Sequence, residues 1–277
     1  FEFRSPNLER AKLFVIICTV KDHHSNPMQI ELSKFKRQGG KFISINPVRT
    51  GYSAIADEWI PIKPGTDGAL AVAIAHVLLT EGLWYKDFVG DFIDSENRFV
   101  AGEYVDEMMF EEKYTNGIVR WWNLELKEKT PEWAAEITGL PAEQIKRVAV
   151  GYGRAAPHAI SWLGGGPCMQ ARGAYASMAV HALNGIVGAV DNVGGTQQSN
   201  KEYTTKFPKP DDFMDEIAKA GKKHSKIDHR GRLEFPSLNK KPGGGVVTNN
   251  AADGILNADP NEIKVAIGYM NNFTFSC

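Results

Sequence analysis

The chain has 277 residues, 43% hydrophobic, 10% aromatic and 23% charged, values ordinary for a globular protein of about two domains. That composition excludes a disordered, collagen-like or coiled-coil chain. The 32 Lys+Arg against 33 Asp+Glu leave no global field to recruit nucleic acid or an anionic membrane, and no run of about 18 apolar residues spans a bilayer.

The apolar run 13–17 reads as a strand buried on both faces of a parallel sheet. A polar turn over 19–25 follows, then a helix over 26–37 carrying Met28, Ile30, Leu32 and Phe35, stopped by Gly39 and Gly40. Residues 41–46 form the second strand and 59–62 a third, which leads through 64–67 into a long apolar helix over 68–81. Strands alternating with helices predict a doubly wound α/β domain. The aromatic stretch 85–130 is expected as short helices over the sheet. Thr130 and Pro131 mark a helix over 131–137, followed by one from 140 to about 152. A second α/β unit opens with a strand at 159–163, a glycine turn at 164–167 and a helix over 174–187. Residues 196–260 are polar and loop-like, with helical pattern only at 213–220, before a strand at 262–268. This divides the chain into domains 1–157 and 158–277, the second with a long polar insertion at about 196–260. Because the chain begins at Phe1 and closes on a strand with no helix after it, it reads as an internal piece of a longer protein.

Four turns carry the candidate chemistry. In 64–68, Gly65 lets backbone approach a ligand, Thr66 offers a hydroxyl, and Asp67 either caps its helix or accepts two parallel hydrogen bonds from a base edge such as guanine. The turn 22–27, with Asp22 and Ser25, lies past a strand's carboxyl end, where open α/β sheets bind ligands. Its adjacent His23 and His24 have no partners at metal-ligand spacing. Asn46, Pro47 and Arg49 follow the second strand, with Arg49 able to fork onto a phosphate. The turn 164–170 exposes backbone amides suited to a diphosphate, but it lacks the GxGxxG of a nicotinamide-binding fold. The three cysteines, Cys18, Cys168 and Cys277, spell neither a disulfide framework nor a CxxC site. Cys168 reads as a small buried hydrophobe and His181 as a core or interface histidine; no side chain reads as a nucleophile or metal ligand. The lysine-rich stretch 201–241 reads as a solvated face.

The order of these turns resembles the molybdopterin oxidoreductases of the dimethyl sulfoxide reductase superfamily, most specifically across 59–70. Residues 70–277 look most like catalytic large subunits of respiratory arsenate reductases, through 73–84, 99–102, 121–127, 223–236, 243–249 and 269–277. The resemblance implies two α/β domains of a larger molybdoenzyme gripping bis(molybdopterin guanine dinucleotide) with molybdenum. One nucleotide would meet Asp22, Ser25, Asn46, Pro47, Arg49, Gly65, Thr66 and Asp67; the other would lie near Gly164, Gly166, Gln170, Asn271 and Asn272. Two positions depart from the superfamily: Cys18 stands where glycine is usual, and Asn46 where Asp is common. The iron–sulfur and molybdenum-ligating cysteines would precede Phe1, so no catalytic or metal residue is assigned here.

The activity implied is two-electron reduction of arsenate to arsenite by oxygen-atom transfer in anaerobic respiration. A 4Fe–4S cluster elsewhere in the subunit and an iron–sulfur partner subunit would carry the electrons, in the periplasm and without membrane insertion. An arsenite oxidase of the same clade, a polysulfide or thiosulfate reductase, and a non-catalytic nucleotide-binding module are the alternatives.

Overall fold

The computed structural model describes residues 4–18, 27–170, 173–198, 208–228 and 248–268. A short strand, β1 (Arg4–Pro6), leads into β2 (Leu13–Ile17), whose five residues are all buried. Helix α1 (Pro27–Arg37) ends at Gly39, whose φ of 89° makes a left-handed turn. A Cβ on Gly40 would lie 2.1 Å from the Phe35 ring, so only glycine lets the chain turn tightly under the helix into β3 (Lys41–Ile45). After α2 (Tyr52–Ile55) and β4 (Glu58–Ile60) comes α3 (Asp67–Thr80), buried along most of its length.

Next, α4 (Lys86–Val89) runs into an antiparallel pair, β5 (Gly90–Phe92) and β6 (Phe110–Glu112). This pair stands where only short helices were expected. It closes around Trp84, Phe92, Phe99, Phe110 and Trp122, with the Phe92 and Phe110 centroids 5.0 Å apart, so aromatic packing rather than strand length holds it. Helices α5 (Ile118–Leu124), α6 (Pro131–Thr138) and α7 (Ala142–Arg154) follow. Thr130 caps α6 as its sequence suggests, accepting from the Trp133 amide at 3.3 Å with Pro131 first in the helix. Strand β7 (Ala159–Leu163), α8 (Gly165–Cys168), α9 (Gly173–Ile186) and β8 (Thr196–Gln198) complete this part.

The central sheet is parallel, in the order β4-β3-β2-β7, and sets Ile17 opposite both Ile45 and Leu163. Alternate residues of β2 point to opposite faces. Leu13, Val15 and Ile17 join the core formed with α3, α7 and α9, while Phe14 and Ile16 join Leu32, Phe35 and Tyr52 on the other side. Helices on both faces make this the expected doubly wound α/β architecture.

The compact units are Phe1–Lys201 and Glu202–Cys277. The expected boundary at 157/158 does not coincide with that division, because β7 hydrogen-bonds to β2 and β8 pairs antiparallel with β1. The strand and helix read as a second α/β unit thus extend the first sheet. In the second unit, the described residues hold α10 (Glu216–Lys222), capped by Asp215, and α11 (Thr248–Leu256). Residues 262–268 form no strand, contrary to expectation; Val265 and Ile267 are exposed, and no described segment pairs with them.

β7 is an outer strand, and its free side is covered by a side chain. Asn184 of α9 accepts from the Ser161 amide and donates to the Ser161 carbonyl, each at 2.9 Å, while the Tyr152 hydroxyl donates to the same Asn184 oxygen at 3.1 Å. One amide thus takes the place of a neighbouring strand. Asn184→Ala strands those buried groups, and we expect a loss of about 2–4 kcal/mol in denaturant unfolding with the slope unchanged.

Candidate functional site

The ladder continues one residue beyond the strands. The Cys18 amide donates to the Ile45 carbonyl at 2.8 Å, Asn46 to Ile60 at 3.0 Å, and Gly164 to Ile17 at 2.8 Å. Three turns therefore leave the sheet from one carboxyl edge, and α3 begins beside them.

Asp67, the first residue of α3, is only 1% exposed. Its Oδ1 accepts from the Cys18 thiol at 3.1 Å. Burial pushes the Asp67 carboxyl above its ordinary range, against the pull of the Cys18 thiol and of its own backbone amide. Burial, then the neighbouring Asp67 charge, push the Cys18 thiol well above its usual value. Thr66 does not cap α3, because its hydroxyl donates to the Lys63 carbonyl at 2.7 Å. Gly65 has φ 83°, and a Cβ there would sit 3.0 Å from the Gln170 Oε1.

Asn46 is buried, and its Oδ1 accepts from the Val48 amide at 3.0 Å. Its Nδ2 has no hydrogen-bond partner among the described residues. The backbone at Asn46 is held by the Trp59 indole, which donates to the Asn46 carbonyl at 2.8 Å. Arg49 is exposed, with its guanidinium 6.0 Å from the Trp59 ring centroid, and Pro47 is half-buried. The turn carrying Gly164, Gly166 and Gln170 lies against these groups: a Cβ on Gly166 would touch the Cys18 Cβ at 3.5 Å.

The structure brings Gly65 to Asp67 together with Gly166, Gln170 and Cys18, and sets Asn46 one residue past β3 at the same edge, followed by Pro47 and Arg49. Asp22, Ser25, Asn271 and Asn272 lie outside the described residues, as do His23, His24 and Cys277. Cys168, expected as a small buried hydrophobe, is exposed instead, and His181, expected as a core or interface histidine, is exposed in this chain and so is no core residue. Cys168 sits in the short α8, where its Sγ lies 3.0 Å from the Ser177 hydroxyl. Among the described residues no three His, Cys, Asp or Glu side chains gather as a metal site. Two positions escaped sequence reasoning. Trp59 was visible only as part of a distinctive stretch, and Cys18 only as a departure from glycine. A groove of about 1060 Å³ starts at Gly65, Thr66 and Gln170 and runs past Tyr175 to Trp121 and Trp133.

The family model for molybdopterin oxidoreductases matches residues 2–270. The chain belongs to that family. Among its relatives is the arsenate respiratory reductase molybdopterin-containing subunit ArrA of Chrysiogenes arsenatis, 50% identical over 279 residues, covering 99% of this chain and 32% of that protein. ArrA of Shewanella sp. strain ANA-3 is 52% identical over 238 residues, covering 85% of this chain and 28% of that protein. The family member described here spans about a third of the length of these relatives. Acetylene hydratase from Pelobacter acetylenicus shares the fold, with a TM-score of 0.53 at 24% identity over 68% of this chain and 23% of that one.

The donor set suits a polar part of the molybdenum-pterin cofactor of this family. A buried amide donor lacks a partner, a buried carboxylate faces the same edge, and two glycine turns let backbone come close.

A raised carboxylate pKa means the folded state holds its proton more tightly than the unfolded state. Ionised Asp67 therefore opposes folding above the ordinary carboxylate range, and that opposition fades as pH falls through the folded-state value. In cofactor-free protein we expect Asp67→Asn to raise Tm at neutral pH by a few degrees, about 1 kcal/mol, with the gap closing near about pH 4. Thermal scans at both pH values check this.

Proposed function

We propose that this chain holds the guanine nucleotides of bis(molybdopterin guanine dinucleotide) in the catalytic subunit of a respiratory arsenate reductase. The observation that carries the reading is the 50% identity to an arsenate respiratory reductase subunit across 99% of the chain. In this reading Asp67 accepts from the N1–H and N2–H₂ of a guanine, a charge-assisted pair that discriminates guanine from other bases. The Asn46 Nδ2 supplies a donor for a ribose hydroxyl or a phosphate oxygen, satisfying an atom that has no partner among the described residues. Arg49, standing beside Trp59, forks onto a phosphate. Pro47, Gly65 and Thr66 shape the approach, and Asp22 and Ser25 complete this nucleotide's contacts. Gly164, Gly166 and Gln170, with Asn271 and Asn272, serve the second nucleotide.

When bound, the molybdenum cofactor supplies two-electron oxygen-atom chemistry: arsenate takes up two electrons and two protons and leaves as arsenite and water. This chain's residues bind the cofactor, orient it and fix which nucleotide is accepted. Electron supply through a 4Fe–4S cluster of the same subunit and an iron–sulfur partner subunit, in the periplasm, belongs to the same reading and is supported by the family resemblance.

In the enzyme purified with its partner, adding arsenate should oxidise reduced viologen, a one-electron donor, while one arsenite accumulates for every two viologens oxidised. Arsenite oxidation with an artificial acceptor, in place of arsenate reduction, reverses the direction of turnover. Neither activity in a molybdenum-loaded enzyme moves the substrate to sulfur oxyanions. Asp67→Ala should lower the GMP recovered per chain on acid hydrolysis about ten-fold or more, since it removes a charge-assisted bidentate contact. Undiminished GMP rejects Asp67 as the base-reading group.

A further inference from the structure

Cys18 adopts a backbone conformation that its own side chain disfavours. Its φ of 50° lies in the left-handed region, where glycine sits freely and residues with a Cβ are strained. Strain of this kind persists where the surrounding structure over-determines it; Ser95, Asp191 and Ala258 share the conformation, so it is the contact made by the Cys18 side chain that sets this position apart. Here the side chain reaches across 49 positions of sequence to donate its S–H to Asp67 Oδ1 at 3.1 Å.

Asp67 needs such a partner. As the first residue of α3 it sits where a carboxylate can turn back onto its own helix amides. The Thr66 hydroxyl, which could have covered those amides, is engaged with Lys63. A thiol donor on Oδ1, together with the carboxylate's bond to its own backbone amide, fixes the plane of the carboxylate and leaves its remaining lone pairs as acceptors. A second, independent observation points to a ligand at this edge. The buried Asn46 amide, whose Nδ2 has no partner among the described residues, follows Ile45, whose carbonyl receives the Cys18 amide.

We propose that Cys18 is a positioning residue for the bound nucleotide, its thiol holding the Asp67 carboxylate in the orientation that receives the base edge. The proposal rests on the reading of Asp67 as the guanine contact. Cys18 touches no reacting atom; it acts through Asp67. The thiol stays protonated because burial and the adjacent carboxylate both disfavour thiolate, so the donor is present at neutral pH.

The test uses the enzyme carrying Cys18→Gly, Cys18→Ser or Asp67→Ala, with GMP recovered per chain by acid hydrolysis after gel filtration and Tm measured on the cofactor-free form of each, so that lost cofactor does not itself move Tm. Glycine suits the backbone but removes the donor; serine keeps a donor of similar reach. We expect Cys18→Gly to lower recovered GMP about three- to ten-fold, the range of one hydrogen bond to a buried group, with Tm equal to or above the parent. Cys18→Ser should restore at least half of the loss, and Asp67→Ala should lose GMP as well. Parent-level GMP in Cys18→Gly alongside a loss in Asp67→Ala overturns the proposal and leaves the base reading standing. GMP retained in Asp67→Ala overturns both. A Cys18→Gly loss that serine does not restore, or one accompanied by a fall in Tm, assigns Cys18 to packing and overturns the proposal.

Discussion

Parallel hydrogen bonding on both sides of β2 is the constraint on which the site depends. Because Ile17 stands level with Ile45 and Leu163, the residues that follow each strand leave the sheet together. A slip of one residue in either pairing would turn alternate side chains from one core to the other and move Cys18, Asn46 and Gly164 out of step. Such a slip is prevented by burial: every residue of β2 is buried, and neighbours along the strand belong to different cores. The geometry at the carboxyl edge is therefore set by apolar packing below it rather than by interactions within the turns.

The site carries features that stability alone would remove. A carboxylate is held almost without solvent at the start of α3, an amide nitrogen is buried without a described partner, and a cysteine occupies a glycine conformation. Each is unfavourable in isolation. They occur within one stretch of the sheet edge, whereas buried polar side chains elsewhere among the described residues are paired. Asn184 satisfies both backbone groups of Ser161, His76 Nδ1 lies 2.7 Å from the Leu126 carbonyl, and Ser44 and Ser53 share a bond of 2.7 Å. The contrast separates groups that complete the fold from groups set up for something else.

Much of the fold was legible because its elements announce themselves locally. The apolar run of β2, the paired glycines after α1 and the Thr130–Pro131 start of α6 each state a boundary through their own chemistry. What failed to show was pairing. β5 and β6 are three residues each and carry no alternation, so only the aromatic cluster around them makes them strands. The reverse holds for 262–268, where Ile263, Val265 and Ile267 alternate but no described neighbour completes a ladder. β7 read as the opening of a new domain because local pattern says nothing about which sheet a strand joins. For the site, the glycines and Asp67 were visible as turn chemistry. The contact of Cys18 with Asp67 was not, since sheet register and not spacing brings them together.

The close approach of α3 to α9 has an electrostatic consequence. A Cβ on Gly68 would sit only 3.3 Å from the Ala176 Cβ, so small residues let the first turns of two 14-residue helices converge. Each helix amino end carries roughly half a positive charge, so together they direct a field of about one unit charge at the sheet edge. That potential comes from fixed backbone dipoles, which do not titrate and have no rotamers to search. An anion drawn there meets an attraction built into the packing of two helices rather than one that depends on where surface lysines point.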